Sequence, residues 1–222
     1  MTGLQTMLLG IPWMDPNWLL DHFHTQFIVI SLIIIFVECG LLFPFLPGDT
    51  LLVSIGLFLA TDKLNITNGP NQVGLLLGVL AFTVAAFLGN VAGYEIGRKI
   101  GPPMRAHDGR VVKKKYLDQT VEFFEKHGSQ ALVIGRFVPF VRTYVTLVAG
   151  VSEMDRLKFW VWSLIGAVLW VASIMSLGYF LGQAFPWVAQ NIDLLILGLL
   201  VLTVIPIVFE WWRQRRREEV TS

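Results

Sequence analysis

Basic residues and long apolar stretches alternate along this chain, and their separation constrains the fold more than any other feature. Fourteen of the 17 Lys and Arg residues fall in three segments, 98–129, 152–158 and 213–222. Five apolar stretches are present, at 27–60, 73–97, 130–151, 159–185 and 190–212. The chain is 55% hydrophobic and 15% charged, whereas soluble domains average about 25% charged residues. This pattern excludes a soluble enzyme and a disordered chain. It predicts a single-domain, all-α polytopic membrane protein over residues 1–222.

The positive-inside rule places the three basic segments in the cytoplasm. The stretches 73–97, 159–185 and 190–212 are then predicted to be three transmembrane helices. The tail 213–222 is basic, so the C-terminus is predicted to be cytoplasmic, as is the basic loop 98–129.

Two segments are predicted to lie on the membrane surface. The first basic residue of the chain is Lys63, so 1–26 lacks the positive n-region of a signal peptide and is predicted to be an interfacial N-terminal segment. Residues 113–127 mix basic side chains with aromatic and aliphatic ones, which predicts an amphipathic helix at the cytoplasmic surface.

Two of the apolar stretches fit re-entrant hairpins better than single crossings. Stretch 130–151 has basic segments on both sides, so it is predicted to enter from the cytoplasm and return. Stretch 27–60 has 34 residues, about 51 Å as one helix, against a hydrocarbon core of about 30 Å. Pro44, Pro47 and Gly48 lie at its middle and favour a hairpin tip entered from the outside. The alternative is a single broken span with a cytoplasmic N-terminus.

Similar features in the two halves indicate an internal repeat. Pro139 marks the second predicted tip as Pro44 marks the first, and Gly-Tyr-x-x-Gly follows each hairpin, at 93–97 and 178–182. Because the hairpins enter from opposite faces, the halves form an inverted repeat, which is typical of transporters with a midplane substrate site. Glycines recur every four residues in the first long helix and are predicted to form a helix-packing stripe: Gly89, Gly93, Gly97 and Gly101.

Four ionisable residues lie within the predicted hairpins, Glu38 and Asp49 in the first and Arg136 and Arg142 in the second. A charge at the bilayer centre costs at least about 2.5 kcal/mol, so we expect each sign to find its opposite where the tips meet. These contacts are either structural salt bridges alone or part of a hydrated cavity. Guanidinium groups match phosphate oxygens, so both arginines, with the adjoining Thr143, are the predicted lipid-phosphate site. The two acids are predicted to be proton carriers or gates.

Several motifs together resemble the DedA family of bacterial inner-membrane proteins, which carry the SNARE-associated or VTT domain. The resemblance spans residues 27–185 and rests on five stretches: 38–52, 93–101, 124–128, 135–143 and 148–150. It implies two opposed re-entrant hairpins and lipid translocation, with the family's acids at Glu38 and Asp49 and its arginines at Arg136 and Arg142. Three positions depart from the usual pattern: Asn90 replaces a common acid, Thr146 a common proline and Ser163 a common amide.

The resemblance implies transport of undecaprenyl phosphate, the carrier of cell-wall precursors, across the bacterial cytoplasmic membrane with dependence on the proton gradient. An uncoupled scramblase for phospholipids such as phosphatidylethanolamine and a non-transporting scaffold are the alternatives. The sequence shows no nucleophile elbow, phosphate-binding loop or metal motif, so no enzyme, cofactor or metal site is predicted. The expected partners are membrane lipids and protons, without nucleic acid, and a homodimer is left open.

Overall fold

A computed structural model of the protein describes residues 26–41, 48–67, 69–104, 121–122 and 124–185. Several predicted segments lie outside these residues: positions 1–25 of the interfacial segment, the first hairpin tip with Pro44 and Pro47, most of the loop 98–129, the third transmembrane helix 190–212 and the tail 213–222. The described part is entirely helical or irregular, which confirms the all-α prediction there. Its principal helices are α1 (Phe27–Leu41), α2 (Gly48–Ala60), α3 (Asn71–Met104), α4 (Ala131–Ile134), α5 (Pro139–Val151) and α6 (Arg156–Ala184).

Helices α3 and α6 are long and apolar enough to cross a bilayer. Each contains a run of 29 residues, Asn71–Lys99 and Arg156–Ala184, and an 18-residue window of that run has a mean hydropathy of 2.2 in α3 and 2.0 in α6. At ~1.5 Å per residue, such a run measures about 44 Å, more than the about 30 Å of hydrocarbon core. Large apolar side chains on both helices are exposed, among them Leu80 of α3 and Leu164 of α6. These are the surfaces that a helical membrane protein presents to lipid.

Helices α1 and α2 form an antiparallel hairpin with short limbs. The limbs contain 15 and 13 residues, or about 22 and 20 Å of helix, less than a bilayer core. At the open end, the rings of Phe27 and Phe58 have centroids 6.1 Å apart. At the other end, Gly48 lies against the carboxylate of Glu38.

The second predicted hairpin is also broken at its middle. Val138 has an extended backbone, with φ −107° and ψ 113°, and separates the 3-10 turn Gly135–Phe137 from α5. Helix α5 begins at Pro139, a residue suited to the first helical position because it needs no backbone N–H there. Gly135 packs against Val141 of α5, so the two limbs touch. The membrane face from which each hairpin enters stays a prediction.

The helices pack in a pattern that repeats with the two halves exchanged. In the first half α1 packs on its own long helix, α3, while α2 packs on α6 of the other half. In the second half α4 packs on its own long helix, α6, while α5 packs on α3. The residues that follow α2 and α5 also match, since Asp62 and Glu153 both have positive φ, 57° and 52°. These matches support the predicted internal repeat.

Glycines let the helix backbones approach closely where the halves cross. A methyl group on Gly56 of α2 would overlap the carbonyl oxygen of Met175, and one on Gly150 of α5 would overlap that of Tyr94. The glycines of α3 contact one helix from each half. Gly89 lies against the carbonyl oxygen of Phe36 in α1, and Gly97 lies against that of Leu147 in α5. Gly93, between them, lies against both Gly40 and Thr146. Gly101 lies further along α3, near its C-terminal end. Small residues are what close packing of membrane helices requires.

We expect Gly150→Ala to destabilise the protein by about 1–3 kcal/mol, because the added methyl group meets rigid backbone of α3. Thermal unfolding of the purified protein in detergent measures the loss. Gly74→Ala is the matched control, since its methyl group would meet only the mobile end of Leu59, 3.3 Å away. Equal unfolding temperatures for the two variants would contradict the proposed backbone contact.

Candidate functional site

One arginine of the second hairpin joins both limbs of the first. Glu38 lies in the last turn of α1, Asp49 in the first turn of α2 and Arg142 in the first turn of α5. The guanidinium of Arg142 donates from Nη2 to Oε1 of Glu38 and from Nη1 to Oδ2 of Asp49. We call these three residues the ion cluster. Both acids share Arg142 as their ion-pair partner, because the first turn of α5 brings this arginine within reach of both.

The ion cluster is buried on one side and open on the other. The Glu38 side chain is 6% exposed, whereas Arg142 is 21% and Asp49 38% exposed. The more exposed carboxylate is therefore reachable from outside the helix bundle. A pair sealed in the apolar interior would have no such opening.

The buried carboxylate lies against the start of α2. A methyl group on Gly48 would overlap Oε2 of Glu38, so only glycine leaves room for this carboxylate at that position. The N-terminus of a helix carries a partial positive charge that favours an anion. The Glu38 carboxylate therefore lies between the guanidinium of Arg142 and the start of α2.

Arg136 lies apart from these ion pairs. It belongs to the turn Gly135–Phe137 and is only 6% exposed. Among the described residues, no carboxylate comes within 4.0 Å of its guanidinium, and its Nε–H is buried without a hydrogen-bond partner there. Cys39 of α1 is a neighbour. Arg142 thus has two carboxylate partners, whereas Arg136 has an N–H group without a hydrogen-bond partner among the described residues.

Trp170 is a site residue that the sequence analysis missed. Its indole Nε1–H donates to Oδ1 of Asp49 at 3.0 Å. The ring lies 4.9 Å from Cζ of Arg142 and 5.7 Å from Cζ of Arg136, measured to the ring centroid. The sequence did contain a signal for this role. Interfacial tryptophans are typical of helix ends, whereas Trp170 lies at the middle of α6.

Two of the three positions that depart from the family pattern bind each other. Asn90 of α3 donates from Nδ2 to Oγ of Ser163 of α6 at 2.9 Å, and both side chains are buried. This neutral pair joins the two long helices. Thr146, the third departure, is buried on α5 against Gly93.

The remaining predicted residues are located as follows. Pro139 and Thr143 lie in the first turns of α5, before and after Arg142 respectively, and Gly48 begins α2. Within the described ranges, no group of three or more His, Cys, Asp or Glu could hold a metal ion.

The chain matches known proteins over most of its length. The family model for the VTT domain matches residues 43–180. Protein DedA of Escherichia coli K12 is 36% identical over 84% of this chain and 83% of its own length. The chain belongs to the DedA family. The resemblance drawn from the motifs is therefore confirmed.

Two further membrane proteins are similar to this chain. An uncharacterized membrane protein of Mycobacterium leprae is 36% identical over 99% of the chain and 96% of its own length. Inner membrane protein YqjA of Escherichia coli K12 is 37% identical over 80% of the chain and 77% of its own length. No solved structure matches.

Proposed function

We propose that this DedA family protein is a transporter that carries a phosphate-headed lipid, in the first place undecaprenyl phosphate, across the bacterial inner membrane. The observation that carries the proposal is Arg136, a buried guanidinium without a carboxylate partner among the described residues. A buried charge is costly until a counterion pairs with it. The two-pronged guanidinium matches a phosphate in shape as well as in charge.

A lipid suits this site better than a free anion. The ion cluster is partly open, so a polar headgroup can reach it from its exposed side. Exposed apolar side chains on α3 and α6, such as Leu80 and Leu164, offer the tail a path in lipid. Only the headgroup then has to cross the polar region, and the long chain never leaves an apolar environment.

The ion cluster supplies the coupling in this proposal. Arg142 holds the two hairpins together through Glu38 and Asp49. Protonation of either carboxylate removes one charge-assisted hydrogen bond, which weakens the connection between the halves. A proton arriving from the outside can therefore favour separation of the tips and release of the headgroup on one side.

Reconstitution into liposomes tests the proposal. We expect the purified protein to move a fluorescent polyprenyl phosphate between leaflets, faster with a pH gradient than without one. Excess unlabelled polyprenyl phosphate should compete, whereas phosphatidylethanolamine should not. For variants of the site arginines, Arg156→Gln is a suitable control, because Arg156 lies on the exposed surface, where its Nε is 3.2 Å from Oε1 of Glu95.

Three other results of the liposome experiment would change the proposed function. Equal rates with and without the gradient would remove the proton coupling. Competition by phosphatidylethanolamine at the same concentration would indicate a phospholipid scramblase. Absence of movement by wild-type protein would contradict transport and favour a scaffold.

A further inference from the structure

The indole of Trp170 contacts three of the four charged residues of the site. It is 1% exposed at the middle of α6. Its N–H bonds to Asp49, and its ring lies within 6 Å of both guanidinium groups, at 4.9 Å from Arg142 and 5.7 Å from Arg136. Such distances are typical of cation–π attraction, which is stronger where water is excluded.

Gly166, one turn before Trp170, makes room for Arg136 on the same helix. A methyl group there would lie 3.2 Å from Cδ and Nε of Arg136, and 2.9 Å from the carbonyl oxygen of Leu132. The stem of Arg136 therefore lies over Gly166 while its charged head lies near the indole. One face of α6 determines where this arginine points.

We propose that Trp170 is the positioning residue that gives the two arginines different tasks. This inference rests on the proposed function and deepens it. The indole N–H occupies Oδ1 of Asp49 and leaves Oδ2 to Arg142, whose charge is then shared by two carboxylates. Arg142 becomes the residue that joins the hairpins.

Contact with the indole of Trp170 leaves Arg136 able to bind an anion. An aromatic ring attracts a guanidinium through its face but carries no negative charge, and the indole has no hydrogen-bond acceptor. Trp170 therefore holds Arg136 in place without neutralising it or occupying its donors. A carboxylate at this position would do both.

A double-mutant cycle on the ligand-free protein tests the contact itself. Trp170→Phe and Asp49→Ala should each lower the unfolding temperature. Together they should lower it by about 3 °C less than the sum of the two, since both remove the same hydrogen bond between the indole and Asp49. Trp160→Phe is the matched control on α6, because Trp160 is 45% exposed, and its effect should add to that of Asp49→Ala. Simple additivity of Trp170→Phe with Asp49→Ala would overturn the inference.

Binding of farnesyl phosphate in detergent, with farnesol as the probe lacking phosphate, tests the effect on Arg136. Trp170→Phe keeps an aromatic ring and should bind within about three-fold of wild type, whereas Trp170→Leu should bind about ten-fold more weakly. Gly166→Ala displaces Arg136 but leaves the indole in place, so it should also bind farnesyl phosphate more weakly. This variant provides the test if Trp170→Leu does not fold.

The outcomes separate this inference from the function on which it rests. Wild-type affinity for farnesyl phosphate in both Trp170→Leu and Gly166→Ala would overturn the positioning role. If wild-type protein binds farnesyl phosphate no better than farnesol, the proposed function fails. The double-mutant cycle, which uses no lipid, then still decides whether the indole holds Asp49.

Discussion

Replacing Arg142 with alanine is expected to destabilise the protein by about 3–5 kcal/mol, because it leaves the Glu38 and Asp49 carboxylates close together without the ion-pair partner that they share. Thermal unfolding in detergent should show a fall of about 10 °C. The effect arises from the loss of the counterion rather than from the loss of packing.

Two further variants isolate that cause. Adding Glu38→Gln and Asp49→Asn to Arg142→Ala should recover most of the lost stability, since neither position then holds a carboxylate that has lost its ion-pair partner. Arg156→Ala removes an arginine from an exposed ion pair and should cost about 1 kcal/mol or less. If Arg142→Ala unfolds at the same temperature as Arg156→Ala, the ion cluster does not hold the hairpins together.

Arg136 should behave in the opposite way, with little effect on stability and a large one on binding. Arg136→Met keeps much of the side-chain volume and removes a buried charge that has no carboxylate partner among the described residues. We therefore expect an unfolding temperature equal to or above that of wild type. Affinity for farnesyl phosphate should fall roughly 100-fold, equivalent to about 3 kcal/mol for a charge-assisted interaction.

The conservative variant distinguishes charge from shape. Arg136→Lys retains the charge but not the planar fork, so it should restore binding only in part. Unchanged affinity in Arg136→Met would show that the phosphate binds elsewhere. A large loss of stability in the same variant would show that Arg136 has a structural role instead.

Charge distribution and the length of the apolar stretches indicated where the helices of the described residues are interrupted. Basic residues on both sides of 130–151 favoured a stretch that turns back, and the structure breaks it at Val138. The excess length of 27–60 favoured a hairpin, and the structure contains two short antiparallel helices there. The meeting of acids from one half with an arginine from the other followed from the cost of isolated charges in lipid.

The division between the two arginines could not be predicted in this way. Arg136 and Arg142 are six residues apart on opposite sides of a break, where the extended backbone of Val138 changes the direction of the chain. An extended residue is expected before proline, but this expectation does not tell which of the two arginines meets the carboxylates. Trp170 and the Asn90–Ser163 pair were missed for a related reason, since a polar contact between distant helices depends on their rotation about their own axes.

A structure of the protein in lipid nanodiscs with bound polyprenyl phosphate tests the central claim most directly. We predict density for the headgroup against the guanidinium of Arg136, near the open side of the ion cluster, with the chain running out between exposed apolar side chains. Headgroup density remote from Arg136, with the cluster closed and empty of lipid, would contradict the account.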